Sequence, residues 1–286
     1  MDRQQEDGWI CPCSEAERSS YDIWALFLIG KVLTVYCDFT DSARAKVSLY
    51  CAIKGFYDWM KEKTITLFQW GKFRWYESFI SFRFLYDNYG ESRTLELGHM
   101  LREEGADYYK YTEEWKRPLN QWTLQTHIVN LMMMLKYEAV SCELFGESYQ
   151  NHAEELWKIL EQYNGTAVGT FTGDECLSGI ANNQGTELCS VVELMYSCEL
   201  LYAVTGDSVW ADRLEKAAFN VLPATLSDDM WTHQYVQQVN QIACVIFPGK
   251  SFFRTNNEEA HIFGLEPHFG CCTANHNQGW PKLTMS

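Results

Sequence analysis

An all-α architecture of antiparallel helix pairs is what this sequence predicts, on three observations. A short turn phrase returns every 50 to 60 residues: "FTDS" (39–42), "YGES" (89–92), "FGES" (145–148) and "TGDS" (205–208). The segments between these phrases carry the apolar period of helices. The composition is that of a folded chain, 47% hydrophobic and 15% aromatic over 286 residues, which sets disorder aside. Helix pairs repeating at such a period stack into an α-solenoid or close into an α/α toroid.

Taken in order, the pattern predicts helices over 21–37, 42–62, 73–88, 92–105, 122–146, 148–163, 186–205 and 207–222. In the three phrases that contain it, Gly permits a left-handed exit from one helix. Asp or Glu followed by Ser then supplies a cap and a negative first-turn charge for the next. The helix at 122–146 rests on Ile128, Leu131, Leu135, Ala139 and Cys142 sharing one face. The helix at 186–205 rests on Leu188, Val191, Val192, Met195, Cys198 and Leu201. Beyond "VLPATLSDD" the period stops: "IACVIF" (242–247) reads as a short strand, and a loop-rich tail follows with Gly249, Gly264, Gly270 and Gly279. Long loops on a rigid helical frame are a common place for chemistry.

Charge and cysteine usage narrow the partners. The net charge is -15 with no long basic run, which argues against nucleic acid and against an anionic membrane and favours a neutral or polar ligand. The polar start "MDRQQEDGWI" is unlike a secretory leader, and "IWALFLIGKVLTVY" (23–36), broken by Lys31, is too short to span a bilayer. A cytoplasmic location is the expectation. The odd count of eleven cysteines speaks against a disulfide framework and for thiols that bind metal or react. One glycosylation sequon, Asn164-Gly165-Thr166, is present, and such triplets are common by chance.

Two stretches could carry chemistry. In "GDECLSGIANNQGTELCS" (173–190), Asp174 and Glu175 lie in a Gly-flanked loop, and Glu187 and Cys189 fall where the next helix begins. A helix N-terminus favours an anion there. In "GCCTAN" (270–275), Cys271 and Cys272 are adjacent. Glu187, Cys189, Cys271 and Cys272 make a donor set suited to tetrahedral zinc, although the spacing is not that of a zinc finger. The residues alone leave other accounts open: Cys189 as a small core residue, Glu187 as a first-turn charge, or a strained disulfide between Cys271 and Cys272. A thiolate nucleophile would need an acid/base partner, and Glu175 is the available carboxylate. His127 and Asn130 lie one turn apart and are candidates for a polar ligand; His127 as a hydrogen-bonded core histidine is the alternative. His268 and Asn275 flank the cysteine pair.

The stretches "GDECLSG" (173–179), "QGTELCSVVELMYS" (184–197), "DRLEKAAFNVLPATLSDDMWTHQYVQQVNQ" (212–241) and "GLEPHFGCCTANHNQGWPK" (264–282) resemble glycoside hydrolase family 127, the β-L-arabinofuranosidases. "YDIW" (21–24) and "THIVN" (126–130) match as well. The resemblance implies an (α/α)6 toroid and a retaining glycosidase with a zinc-held cysteine nucleophile. It implies Zn2+ on Glu187, Cys189, Cys271 and Cys272, Cys271 as nucleophile and Glu175 as general acid/base. Substrate contacts would fall to His127, Asn130, His268 and His233, the last in a loop with Gln234 and Tyr235. Family enzymes are longer, so residues 1–286 are expected to form one partial α/α-barrel domain, incomplete at both ends and without the β-sandwich modules that follow the barrel. The partner implied is an L-arabinofuranoside-type carbohydrate. A homodimer completing the ring is the one oligomeric expectation, and no particular residue carries it. The competing functions are an inactive homologue that keeps zinc for folding while binding glycan or protein, and a metal-free helical scaffold.

Overall fold

The structure, a computed structural model, describes residues 1–117, 121–241, 243–246, 248–249, 258–264 and 269–284. Helix dominates, and the strands among the described residues are four pieces of two residues each. The chain divides into two compact units, one of residues Met1–Asp107 with Val140–Ser148, the other of Tyr108–Ala139 with Tyr149–Ser286.

The first unit contains α1 (Trp24–Thr40), α2 (Ala43–Lys61), α3 (Gln69–Phe73), α4 (Ser78–Tyr89) and α5 (Arg93–Glu104). The turn between α1 and α2 follows the expected chemistry: Asp41 is left-handed (φ 49°) and the Ser42 side chain accepts the Ala45 amide. Between α4 and α5 the exit residue is Gly90, at φ 65°. The α1 helix packs on α2 and α4 through Leu26, Phe27, Leu49, Phe56, Phe79 and Phe82, all buried. One ion pair lies inside this core, with Lys31 Nζ 2.8 Å from Glu77 Oε2.

The second unit contains α6 (Thr112–Trp115), α7 (Ile128–Met134), α9 (His152–Asn164), α10 (Leu188–Thr205), α11 (Ser208–Lys216), α12 (Gly270–His276) and α13 (Gly279–Leu283). The helix α8 (Tyr137–Phe145) carries residues of both units. α10 packs against α7, α11, α12 and α13, which is why its apolar residues occupy every side rather than one stripe. The strands β1 (Gly173–Asp174), β2 (Cys176–Leu177), β3 (Thr186–Glu187) and β4 (Val236–Gln237) form one sheet in the order β2-β1-β3-β4.

Several expectations need correction. The helix predicted over 122–146 begins only at Ile128, because the His127 backbone is extended and its ring Nδ1 accepts the Asn130 amide at 3.4 Å. It is interrupted again before Tyr137, next to Lys136, whose buried ammonium lies 3.6 Å from Glu193 on α10. The "FGES" phrase does not cap α9, which starts at His152. There the Glu138 carboxylate accepts the amides of Gln150 and His152, doing from α8 what Ser148 was expected to do locally. Within "IACVIF", residues 243–246 are irregular and the flanking 242 and 247 lie outside the described residues; the strand is β4 instead. The cysteine pair, in the tail read as loop-rich, sits on the short helix α12. Asn164 is buried, its Nδ2 donating to Trp115 O at 2.8 Å and its Oδ1 accepting from Gly179 N at 3.1 Å, so its amide nitrogen is committed inside the fold.

Candidate active site and metal cluster

Glu175 stands at the apex of the tightest turn in the sheet. β1 and β2 pair with Asp174 opposite Cys176, so a single residue must reverse the chain, and Glu175 does so at φ 87°. Glycine adopts that conformation without strain; a residue with a side chain does so at a cost of about 1–3 kcal/mol. What holds Glu175 there is a set of hydrogen bonds from both backbone and side chain. Its carbonyl accepts the Ile128 amide at 2.7 Å, at the start of α7. Its Oε2 accepts from Trp122 Nε1 at 3.1 Å and faces His127 Nε2 at 3.1 Å, while the Tyr235 hydroxyl donates to Oε1. Because His127 Nδ1 accepts from Asn130, the ring proton lies on Nε2 and points at Glu175. Burial pushes the Glu175 carboxyl up, but the hydrogen bond from His127, with those from Tyr235 and Trp122, outweighs it and brings the group down to about 2.

Glu187 closes β3 and caps α10. The sheet fixes it from two sides: β3 pairs with β1 and with β4, and the Tyr235 carbonyl accepts the Leu188 amide at 2.8 Å. Two residues on, Cys189 lies in the first turn of α10, which packs against α12. Adjacent helical residues point about 100° apart. Accordingly Cys272 is buried, while Cys271 is exposed. Cys189 Sγ and Cys272 Sγ are 3.2 Å apart, and all eleven cysteines are free thiols, so no disulfide joins Cys271 to Cys272.

One donor atom from each of Glu187, Cys189, Cys271 and Cys272 lies within 4.8 Å of the others. Glu175 lies outside this set. It forms a second group with His127 and Glu187, again within 4.8 Å, so Glu187 belongs to both. Burial, then the charges of Glu175 and Cys271, push the Glu187 carboxyl well up; burial does the same to the Cys189 and Cys272 thiols. Hydrogen bonds from those two thiols pull Cys271 down, so the negative charge of the cluster concentrates on its exposed sulfur. The Glu187 Oε2 atom is buried with no hydrogen-bond partner. A soft cation bound by three sulfurs and one oxygen would satisfy that atom and neutralise the thiolates, so the donor set fits a metal such as zinc.

The remaining sequence candidates fall in different places. Asn130 is fully buried, and its Nδ2 donates to Leu124 O at 3.0 Å, holding the loop that leads into His127. His233 is buried against α12, with Nε2 3.1 Å from Thr273 Oγ1 and its ring stacked on His276 at 5.6 Å. His268 lies outside the described residues. Asn275 accepts from Gln278 Nε2 at 3.3 Å. Trp122 was missed, since nothing local in "QWTLQT" marks it as a partner of a glutamate 53 residues away. Phe269 was missed too; its ring stacks on Tyr235 with centroids 3.9 Å apart, setting the hydroxyl that reaches Glu175.

Comparison with known proteins sets these residues in context. The β-L-arabinofuranosidase GH127 catalytic-domain profile matches residues 1–285. Among solved structures, a GH127 β-L-arabinofuranosidase from Geobacillus stearothermophilus T6 superposes with a TM-score of 0.64 at 14% identity, covering 96% of this chain and 49% of that one. A GH127 β-arabinofuranosidase gives 0.62 at 16% identity, covering 91% and 40%. A third, described as a glycoside hydrolase, gives 0.61 at 15% identity, covering 98% and 49%. At such identities the likeness is one of fold, and the chain spans half or less of their length. No curated protein matches.

Proposed function

This chain belongs to the β-L-arabinofuranosidase family GH127, and from that premise we propose that it is a retaining glycoside hydrolase acting on β-L-arabinofuranosides, with Cys271 as nucleophile and Glu175 as general acid/base. The observation that carries the reading is the pairing of two unlike sites: three thiols and a carboxylate converging within 4.8 Å, and beside them a strained, triply hydrogen-bonded glutamate.

Glu187, Cys189, Cys271 and Cys272 would hold Zn2+, which when bound supplies positive charge that keeps the thiols ionised at neutral pH. Of the three sulfurs, Cys271 alone is exposed, so it is the one a substrate can reach. In the first step the Cys271 sulfur forms a bond to the anomeric carbon while the bond from that carbon to the leaving oxygen breaks. Glu175 gives its proton to that oxygen. In the second step Glu175 takes a proton from water, the water oxygen bonds to the anomeric carbon, and the carbon–sulfur bond breaks, returning the thiolate. This is the double-displacement scheme with sulfur in place of the usual carboxylate.

The three donors hold Glu175 ionised, which is the state the second step needs. The first step needs the same carboxyl protonated, so a bound sugar has to displace at least one donor and exclude water from Oε1 or Oε2. Turnover of 4-nitrophenyl β-L-arabinofuranoside, with metal content measured on the same preparation, tests the proposal. The expected result is about one zinc per chain and hydrolysis that Cys271→Ser abolishes. Equal hydrolysis by wild type and Cys271→Ser would end it.

A further inference from the structure

The helix α1 is apolar on every side, with Lys31 and Asp38 its only charged residues. Helices of that kind occur where neighbours pack all round them, as they do around α10. In α1 one side is packed: Leu26, Phe27, Leu33 and Cys37 are buried, and the helix rests on α2 and α4. The opposite side carries Leu28, Val32, Val35, Tyr36 and Phe39, each between 39% and 69% exposed. Five large apolar side chains on one face of one helix form a contiguous patch, unlike apolar residues scattered singly over a surface.

Their order is informative. Leu28, Val32, Val35 and Phe39 follow at intervals of four, three and four, the spacing of a coiled-coil seam. No charge interrupts the row, since Lys31 is buried with its ammonium 2.8 Å from Glu77 and Asp38 lies beside the row. The intervals also read the same in both directions. Two copies of α1 laid antiparallel about a two-fold axis between Val32 and Val35 would set Leu28 against the partner's Phe39. The same axis sets Val32 against the partner's Val35. A two-fold contact requires this kind of self-complementarity. The antiparallel sense opposes the helix dipoles and sends the two Asp38 carboxylates to opposite ends, whereas a parallel pair would bring them together.

Area and charge favour the same occupant. The five side chains leave on the order of 500 Å² in water, so two copies would bury on the order of 1,000 Å², where specific interfaces begin. A net charge of -15 works against the other apolar cover, an anionic lipid surface. We infer that the outer face of α1 is a self-association surface through which two copies of this chain pair antiparallel. The inference is independent of the glycosidase reading, because every residue it uses lies in the first unit.

Sedimentation velocity on the full chain, with a reductant present so that free thiols cannot link copies, tests it. An interface of this size is expected to give a dimer that assembles between about 1 and 100 µM. Val32→Lys places an unpaired charge in the seam and should weaken the dimer by roughly a hundredfold, as should Val35→Glu. Position 32 faces water in the single chain, so the urea midpoint measured on monomer should not move. Val32→Gln replaces Val32→Lys if the lysine variant fails to fold. Mixing Val32→Lys with Val35→Glu chains should recover a heterodimer, since the antiparallel register brings these two positions together. Wild type that stays monomeric at about 100 µM overturns the inference, and its flotation with phosphatidylcholine vesicles would assign the face to lipid instead. A dimer that survives both single substitutions removes α1 from the interface. Failure of the mixture to associate more tightly than either variant alone overturns the antiparallel pairing.

Discussion

Glu77 and Glu187 are equally buried, 1% and 2% exposed, and meet opposite surroundings. Within its unit, Glu77 faces the Lys31 ammonium at 2.8 Å, and the two charges close on each other. Glu187, within the other unit, faces Glu175 and three thiols. A buried carboxylate left without compensation costs several kcal/mol, so it takes up a proton or a cation. The first glutamate has an opposite charge beside it; the second stands among thiols, a second carboxylate and His127, a donor set a cation would suit. The contrast separates a buried carboxylate matched by a neighbouring ammonium from one proposed to hold a metal.

The largest expected effect breaks the contrast at the exposed sulfur. Cys271→Ser should lower kcat by about 10⁴-fold or more while leaving the far-UV spectrum unchanged, because the side chain is outside the core. Next comes the ion pair. Lys31→Met removes the ammonium facing Glu77 and should cost about 3–5 kcal/mol in urea unfolding, with metal content unaltered. Glu187→Gln tests the opposite half: zinc stoichiometry should fall, and with it the metal-linked stabilisation, about 2.7 kcal/mol when free metal stands a hundredfold above its dissociation constant. A chelator should remove the same increment from wild type and leave Glu187→Gln unchanged. The smallest effect concerns protons. The His127 hydrogen bond favours ionised Glu175, so His127→Asn should raise that pKa. A general acid fails as pH rises past its pKa, and the alkaline limb of kcat/KM should therefore move to higher pH. No shift, or a shift downward, would remove His127 from that part of the account.

What was legible in the sequence was local. "FTDS" and "TGDS" encode their turns within four residues: Ser42 accepts the Ala45 amide and Asp207 accepts the Val209 amide, as the phrase predicts. "FGES" misled because its neighbour α9 is capped by Glu138, which comes from the preceding helix and not from the turn. The four donors of the cluster were legible as residue types, and their convergence comes from α10 packing on α12. The sheet was not legible, since two-residue strands have no period to read and β3 finds β4 only through the fold. Nor was the geometry of Glu175. Its turn conformation is one that sequence reasoning assigns to glycine, and two of the donors that offset the strain, Trp122 and Tyr235, lie 53 and 60 residues away. Glu175 is such a departure at a residue proposed to do chemistry, while Lys63, Gln69, Asn151 and Met230 are left-handed elsewhere in the chain.

The covalent step itself gives the most direct test. In Glu175→Gln, an activated dinitrophenyl β-L-arabinofuranoside needs no acid to leave, while the base for the second step is gone, so the intermediate should accumulate. Quenching the reaction and sequencing the labelled peptide by mass spectrometry should find one pentosyl unit per chain, on the sulfur of Cys271. A pentosyl unit on any other side chain, or a burst of dinitrophenol with no sugar attached to the protein, would contradict the account.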